Sequence, residues 1–132
     1  MKKLKKSLIA VCASAIMVGA MPVTASAYSF SLNLPNYTAG SIRSTDLEKK
    51  ASSSTPYVDP DIATLNTSYF LSPYRLNRTN ATNVVDISNG ARRNFSWQPG
   101  YGTIGALYCL SAYPNVNATT WDAYNTRGTW GI

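Results

Sequence analysis

The sequence predicts an all-β protein, a small antiparallel β-sandwich or barrel of about six strands that follows a cleaved signal peptide. Apolar and polar residues alternate with a period of two in several segments, and clusters of Asn, Gly, Pro and Ser separate those segments. All the Trp, Tyr and Phe residues lie within residues 28–132, where no long amphipathic helix is evident. Aromatic and β-branched residues favour strands, so composition and periodicity agree.

Residues 1–27 have the order of a secretory signal peptide. The basic segment MKKLKK precedes an apolar stretch rich in small residues, which ends at the small-x-small site Ala25-Ser26-Ala27. We expect cleavage between Ala27 and Tyr28 and secretion of one β domain, residues 28–132, into the extracellular medium. No stable membrane anchor is expected after cleavage, because the apolar stretch is shorter than the roughly 20 residues that span a bilayer.

The basic net charge belongs mostly to this leader. The whole chain carries a formal net charge of +6, but four of its lysines and none of its acids lie within residues 1–27. The remaining domain has eight basic residues against six acids, and they are dispersed along the chain. No nucleic-acid partner is expected, because such a partner would need clustered basic residues.

The first strand is YSFSLNLP, which places Tyr28, Phe30, Leu32 and Leu34 on one face and ends at Pro35. Residues 41–56 are polar and predict a flexible surface loop. Further strands are expected over IATLNTSYFLSP, NVVDI, RRNFSW, GTIGALYCLSAY and DAYNTRGTWGI. Turns are expected at Asn89-Gly90 and Pro99-Gly100, and the second of these predicts a hairpin between RRNFSW and GTIGALYCLSAY.

Three segments, YSFSLNLP, TSYFLSPYRL and IGALYCLSAYPNVNATTWDAYNTRGTWG, resemble a family of small secreted proteins of Gram-positive bacteria that is classed as a domain of unknown function. The last segment is similar to that family's apolar strand, Asn/Ser-rich turn and final strand ending in Gly-x-Trp. The similarity covers most of residues 28–132. It implies a secreted β fold and no catalytic role.

Several kinds of catalysis are excluded by composition. The chain contains no histidine, and residues 28–132 hold a single cysteine. Ser-His-Asp and Cys-His catalysis, His-containing zinc sites and Cys-rich zinc sites are therefore ruled out. No Gly-rich phosphate loop occurs, because GTIG lacks the lysine and the strand-to-helix setting that such loops need. We expect no enzymatic activity and no cofactor.

Asp59 and Asp61 form a close acidic pair around Pro60. Asp-Pro-Asp suits a turn before a strand, and this is the interpretation that we favour. Calcium is the alternative, with Asn66 or backbone carbonyls as further oxygen ligands, and otherwise no metal site is predicted. A glycosidase would need two carboxyl groups about 5–9 Å apart across a cleft.

Cys109 loses its only possible intramolecular partner when Cys12 leaves with the signal peptide. Apolar residues flank Cys109 on both faces of its predicted strand, so we expect a buried free thiol in a monomer. An intermolecular disulfide and a reactive thiol are the alternatives.

The predicted function is a secreted, non-enzymatic binding or interaction protein whose partner is cell-wall or extracellular polysaccharide. Aromatic rings stack on sugar faces, and Asn, Ser and Thr supply neutral hydrogen-bonding groups. Trp97 and Tyr101 flank the Pro99-Gly100 turn, where a ring is hard to bury, and they are the predicted ligand-binding residues. The alternatives are a secreted antibacterial or toxin-like protein and a structural matrix component that assembles through edge strands.

Overall fold

The computed structural model describes residues 25–35, 41–61, 66–88, 90–115 and 124–132. These residues form nine β-strands and no helix, so none of them belongs to a helix that could cross a membrane. The strands are β1 (Ala27–Leu34), β2 (Arg43–Ser44), β3 (Glu48–Lys49), β4 (Tyr57–Pro60), β5 (Thr67–Ser72), β6 (Val85–Ile87), β7 (Arg93–Asn94), β8 (Leu107–Pro114) and β9 (Tyr124–Gly131).

Two antiparallel sheets pack face to face. Sheet A has the strand order β1-β9-β4-β7, and sheet B has the order β2-β8-β5-β6 with β3 also paired to β8. Neither sheet closes on itself, so the prediction of an antiparallel sandwich is confirmed and the barrel alternative is wrong. The count is nine rather than about six, because β2, β3 and β4 are not among the predicted strands. β2 and β3 have two residues each and are too short to show a period of two, and β4 contains Asp59 and Pro60, which are predicted to form a turn.

The long strands at the two ends of the chain follow the predicted alternation. On β1, Phe30, Leu32 and Leu34 are buried, and the intervening polar residues are exposed. β9 lies beside β1 and buries Thr126, Gly128 and Trp130. The buried faces of β1 and β9 therefore line the core on the side of sheet A.

Strands β5 and β8 are buried on both faces. Tyr69, Leu71 and Leu110 belong to the core between the sheets, as predicted for the β5 residues. The predicted core positions Ala63 and Leu65 lie outside the described residues. Two hydroxyl contacts cross the core between β5 and β9, Tyr69 Oη to Thr126 Oγ1 at 2.5 Å and Tyr124 Oη to Thr67 Oγ1 at 2.7 Å.

Residues 41–56 are not the flexible loop that their polarity predicts, because they are fastened to β8. β2 pairs Ser44 with Ser111, and β3 pairs Glu48 with Tyr108. Between and beyond these strands, backbone hydrogen bonds join Thr45 N to Leu110 O and Lys50 N to Ala106 O, both at 2.9 Å. Polar composition concealed the pairing, because the backbone hydrogen bonds that form it carry no sequence signature.

The predicted hairpin between RRNFSW and GTIGALYCLSAY is also wrong. β7 pairs with β4 in sheet A, whereas β8 pairs with β5 in sheet B. The Pro99-Gly100 turn exists, but glycines 102 and 105 after it have φ values of 89° and 92°. Such left-handed backbone interrupts a strand, so β8 begins only at Leu107, after the chain has crossed to the other sheet.

Candidate functional site

Trp97 is half-buried and packs against the core. A Cβ atom built on Gly102 would lie 2.7–2.9 Å from three atoms of the indole, so Gly102 lies flat on one face of the ring. The Tyr108 ring centroid is 4.7 Å from that of Trp97, and Lys50 Nζ lies over the indole at 5.3 Å. Gly102, Tyr108 and Lys50 of the same chain surround the indole. The ring therefore supports the loop formed by residues 98–106, hereafter the 98–106 loop, and offers little free surface on which a sugar could stack.

Tyr101 lies where the sequence predicts it. Its backbone N–H donates to Gln98 O at 3.1 Å, and Gly100 has a φ of 87°, as the third residue of a type II turn requires. The Tyr101 side chain is 36% exposed. The structure therefore places the two predicted binding residues on one loop, but it presents only Tyr101 to solvent as a ring available for stacking.

Asp59 and Asp61 lie at the end of β4 rather than in a turn before a strand, so the turn interpretation is wrong for Asp59. Asp59 and Pro60 pair with Thr129 and Gly128 of β9, and Asp61 N donates to Arg127 O at 2.8 Å. Pro60 is tolerated because β7 pairs only with Tyr57 and Val58. Within the described ranges, no group of three or more acidic or Cys side chains could hold a metal ion.

The outer face of sheet B, which points away from the core, carries a buried row of small polar side chains. Ser44 and Ser111 share a hydrogen bond of 2.8 Å between their hydroxyls. The Cys109 thiol lies 3.7 Å from Ser111 Oγ and donates to Ser72 O at 3.5 Å. All four side chains are buried, although they lie on the outer face of the sandwich. Something must therefore cover them.

The cover is the segment Pro73–Asn80, hereafter the 73–80 loop. Leu76 N donates to Ser44 Oγ at 2.9 Å, and Tyr74 O accepts from the Cys109 thiol at 3.5 Å. Arg78 lies over the Tyr113 ring at 4.8 Å, and Arg75 Nη1 is 3.5 Å from Asp46 Oδ1. These contacts hold the loop against the outer face of sheet B, while the side chains of Tyr74 and Leu76 remain exposed.

Two side chains of the 73–80 loop are unusually exposed for their type. Tyr74 is 60% exposed and Leu76 is 61% exposed, the highest values among the large apolar side chains of the described residues. Leu76 also has a φ of 52°, the single positive value among the described non-glycine residues. A bulky residue in left-handed backbone costs stability, and such outliers concentrate at functional sites.

The electrostatics of this region follow from burial. Burial raises the pKa of the Cys109 thiol above its usual value of 9.0, and the hydrogen bonds with Ser111 and Ser44 and the nearby Arg75 charge offset only part of that. The thiol is therefore protonated at neutral pH and is a poor nucleophile. Cys109 is buried and forms no disulfide with another described residue, and whether it pairs between molecules stays a prediction.

The 73–80 loop carries one phenol ring and two guanidinium groups, those of Tyr74, Arg75 and Arg78. A phenol ring can stack on a sugar face, and guanidinium groups bind carboxylate and phosphate. Asn77 Oδ1 accepts from Thr79 N at 2.8 Å and from Thr79 Oγ1 at 2.7 Å, which stiffens the second half of the loop. The sequence reasoning missed this site, although an aromatic residue after Pro73 and followed by Arg75 and Arg78 was a usable signal.

No protein-family model, curated protein or solved structure matches the chain. The resemblance to small secreted proteins of Gram-positive bacteria therefore stays a prediction.

Proposed function

We propose that this is an exported, non-enzymatic protein that binds an anionic polysaccharide of the cell envelope through the 73–80 loop. The observation that carries the proposal is Tyr74, which is 60% exposed on a loop held from below by the outer face of sheet B. Because the backbone of Tyr74 is already held, less conformational entropy is lost when a ligand stacks on its ring.

Two cations that follow Tyr74 in the loop, Arg75 and Arg78, favour an anionic ligand. Among the described residues, Arg75 forms an ion pair with Asp46, at 3.5 Å and on the surface, and such a pair contributes little and is easily exchanged. Arg78 lies over the Tyr113 ring, with 4.8 Å between Cζ and the ring centroid, a contact that leaves its N–H groups able to donate to a ligand. The loop itself contains no acidic residue, so a polymer with carboxylate or phosphate groups fits it better than a neutral one.

Retention on immobilised polysaccharide tests the proposal. Polygalacturonate serves as the anionic probe and dextran as the neutral probe. We expect binding to polygalacturonate that weakens with added salt, and about tenfold weaker binding for Tyr74→Ala and for Arg75→Ala combined with Arg78→Ala. Tyr101→Ala is the matched control, because it removes an exposed phenol ring from a different loop and leaves the 73–80 loop intact.

Two outcomes would contradict the proposal. One is equal retention of the wild-type protein and the Tyr74→Ala variant. The other is binding to vesicles of anionic phospholipid without binding to polygalacturonate, because Leu76 and Arg75 would then serve a membrane surface.

A further inference from the structure

β1 is the edge strand of sheet A, and its hydrogen bonds to β9 show which of its backbone N–H and C=O groups face the open edge. Ser26 and Ile132 exchange both backbone hydrogen bonds, at 3.0 and 3.3 Å. In an antiparallel pair, hydrogen-bonded and non-hydrogen-bonded positions alternate. The N–H and C=O groups of Ser29, Ser31 and Asn33 therefore point away from β9, toward the open side of the sheet. Among the described residues, no other segment donates to them or accepts from them.

The remaining sheet edges of the described structure are protected, and β1 is not. β7 has two residues including Arg93, and β6 has three with Asp86 at the centre. The edge beside β8 is split into β2 and β3, which carry Arg43 and Lys49. Short length and charge are the usual devices against edge pairing. β1 instead has eight residues in unbroken register with β9, without charge, proline or bulge.

We propose that two copies of the protein associate by antiparallel pairing of β1 with β1, with Ser31 of each copy on the two-fold axis. In this register Ser29 of one copy lies opposite Asn33 of the other, and the three outward-facing residues form hydrogen-bonded pairs. On the core side, Phe30 lies opposite Leu32 and Tyr28 opposite Leu34. Every pair is polar with polar or apolar with apolar, and no like charges meet.

The register needs only residues 28–34, so it does not depend on Ala27 or on the residues before it. A two-fold axis within a continuous sheet stands perpendicular to that sheet. Both copies therefore place sheet B, and with it the 73–80 loop, on the same side of the dimer. The pairing itself rests on β1 alone and does not require the loop to bind a polysaccharide.

Crosslinking tests the register. Hydrogen-bonded antiparallel residues have Cα atoms about 5.5 Å apart, within reach of a disulfide. Ser31→Cys should therefore give a covalent dimer under mild oxidation. Ser29→Cys, whose two copies stand four residues apart along the strands, about 14 Å, should stay monomeric. Cys109 is buried in both variants and does not interfere.

Sedimentation of the uncrosslinked protein tests the association. An interface of one strand pair is small, so we expect the dimer at a protein concentration of about 100 μM and the monomer at about 1 μM. Ser31→Lys, which puts two like charges opposite each other, should leave monomer throughout, whereas Asn94→Lys on the opposite edge of sheet A should not. A wild-type monomer up to about 1 mM, equal crosslinking of the two Cys variants, or equal effects of the two Lys variants would overturn the proposal.

Discussion

Gly102 lies against the indole of Trp97, so closely that a Cβ atom on Gly102 would stand 2.7 Å from Cγ of the ring. We expect Gly102→Ala to lower the free energy of unfolding by about 2–5 kcal/mol. Part of the loss, about 1–2 kcal/mol, comes from left-handed backbone, and the rest from overpacking against a ring that Tyr108 also contacts. Urea denaturation measures the loss.

Gly100→Ala is the matched control for that variant. Gly100 has nearly the same φ, 87° against 89°, but nothing lies within 4 Å of a Cβ atom built on it. The free energy of unfolding of Gly100→Ala should fall only by the cost of left-handed backbone, about 1–2 kcal/mol. Equal losses for the two alanine variants would show that the contact between Gly102 and Trp97 contributes nothing.

Trp97→Ala should destabilise the protein by about 3 kcal/mol, the lower end of the range for a core aromatic, because Trp97 is only half-buried. Tyr101→Ala should change stability little, since its side chain is partly exposed and braces nothing. Polysaccharide retention of both folded variants should match that of wild type. Weaker polysaccharide retention by the folded Tyr101→Ala variant would indicate that the binding site lies on the 98–106 loop instead of the 73–80 loop.

Lys50 is 2% exposed, and its ammonium group donates to Ser54 O at 3.3 Å and lies over Trp97. Burial lowers its pKa from 10.5. The unfolded chain therefore binds more protons in the window just below pH 10.5, and the stability contributed by this residue rises with pH there. We expect Lys50→Met to be about 1 kcal/mol more stable than wild type at pH 7, an advantage that shrinks toward pH 10.5.

Lys49→Met is the matched control, because Lys49 is an exposed neighbour on β3. Lys49→Met should not show the gain in unfolding free energy at pH 7 that we expect for Lys50→Met, because the Lys49 side chain is exposed. Tyrosine ionisation affects all three proteins alike, so only these differences are compared. A Lys50→Met advantage that stays constant up to pH 10.5 would contradict the buried-ammonium explanation.

Tyr69 and Thr126 join the two sheets through a hydroxyl contact in the core. Tyr69→Phe leaves the Thr126 hydroxyl buried without this partner, and we expect a loss of about 1–3 kcal/mol. The double variant Tyr69→Phe with Thr126→Val should lose less than the sum of the two single variants, because both hydroxyls are then removed. Strict additivity in thermal or urea unfolding would mean that the two hydroxyls do not interact.

Cys109 should react with a thiol reagent through opening of the 73–80 loop, since Tyr74 O accepts from its thiol. We expect slow labelling in native protein and fast labelling in denaturant. Polygalacturonate should slow native labelling further, because a ligand on the loop stabilises the closed state. Dextran provides the comparison. Native labelling as fast as denatured labelling would contradict the covered thiol.

The predicted cleavage site between Ala27 and Tyr28 falls inside β1, where Ala27 pairs with Gly131. A peptidase needs extended, unpaired chain, so cleavage must precede the pairing of β1 with β9. We expect secreted protein whose intact mass starts at Tyr28. Folded full-length protein should resist the same peptidase, and urea should make it cleavable. A secreted mass that retains residues 1–27 would contradict the prediction.

The sequence by itself determined the fold class and the two longest strands with clean alternation. β1 and β9 each bury one face, so every second residue is apolar or small and the period of two is visible in the letters alone. It determined the burial of Cys109 for a related reason. An inner strand that is covered on both sides carries apolar neighbours on both faces.

The tertiary structure decided which segments pair and which aromatic side chains are exposed. β2, β3 and β7 form through backbone hydrogen bonds between distant residues, and such bonds leave no pattern in two-residue strands. Trp97 and Tyr74 are both aromatic residues beside polar neighbours in the sequence. Only the fold places Gly102 on the indole and leaves the Tyr74 ring in solvent, because burial depends on contacts between segments that are far apart in the chain.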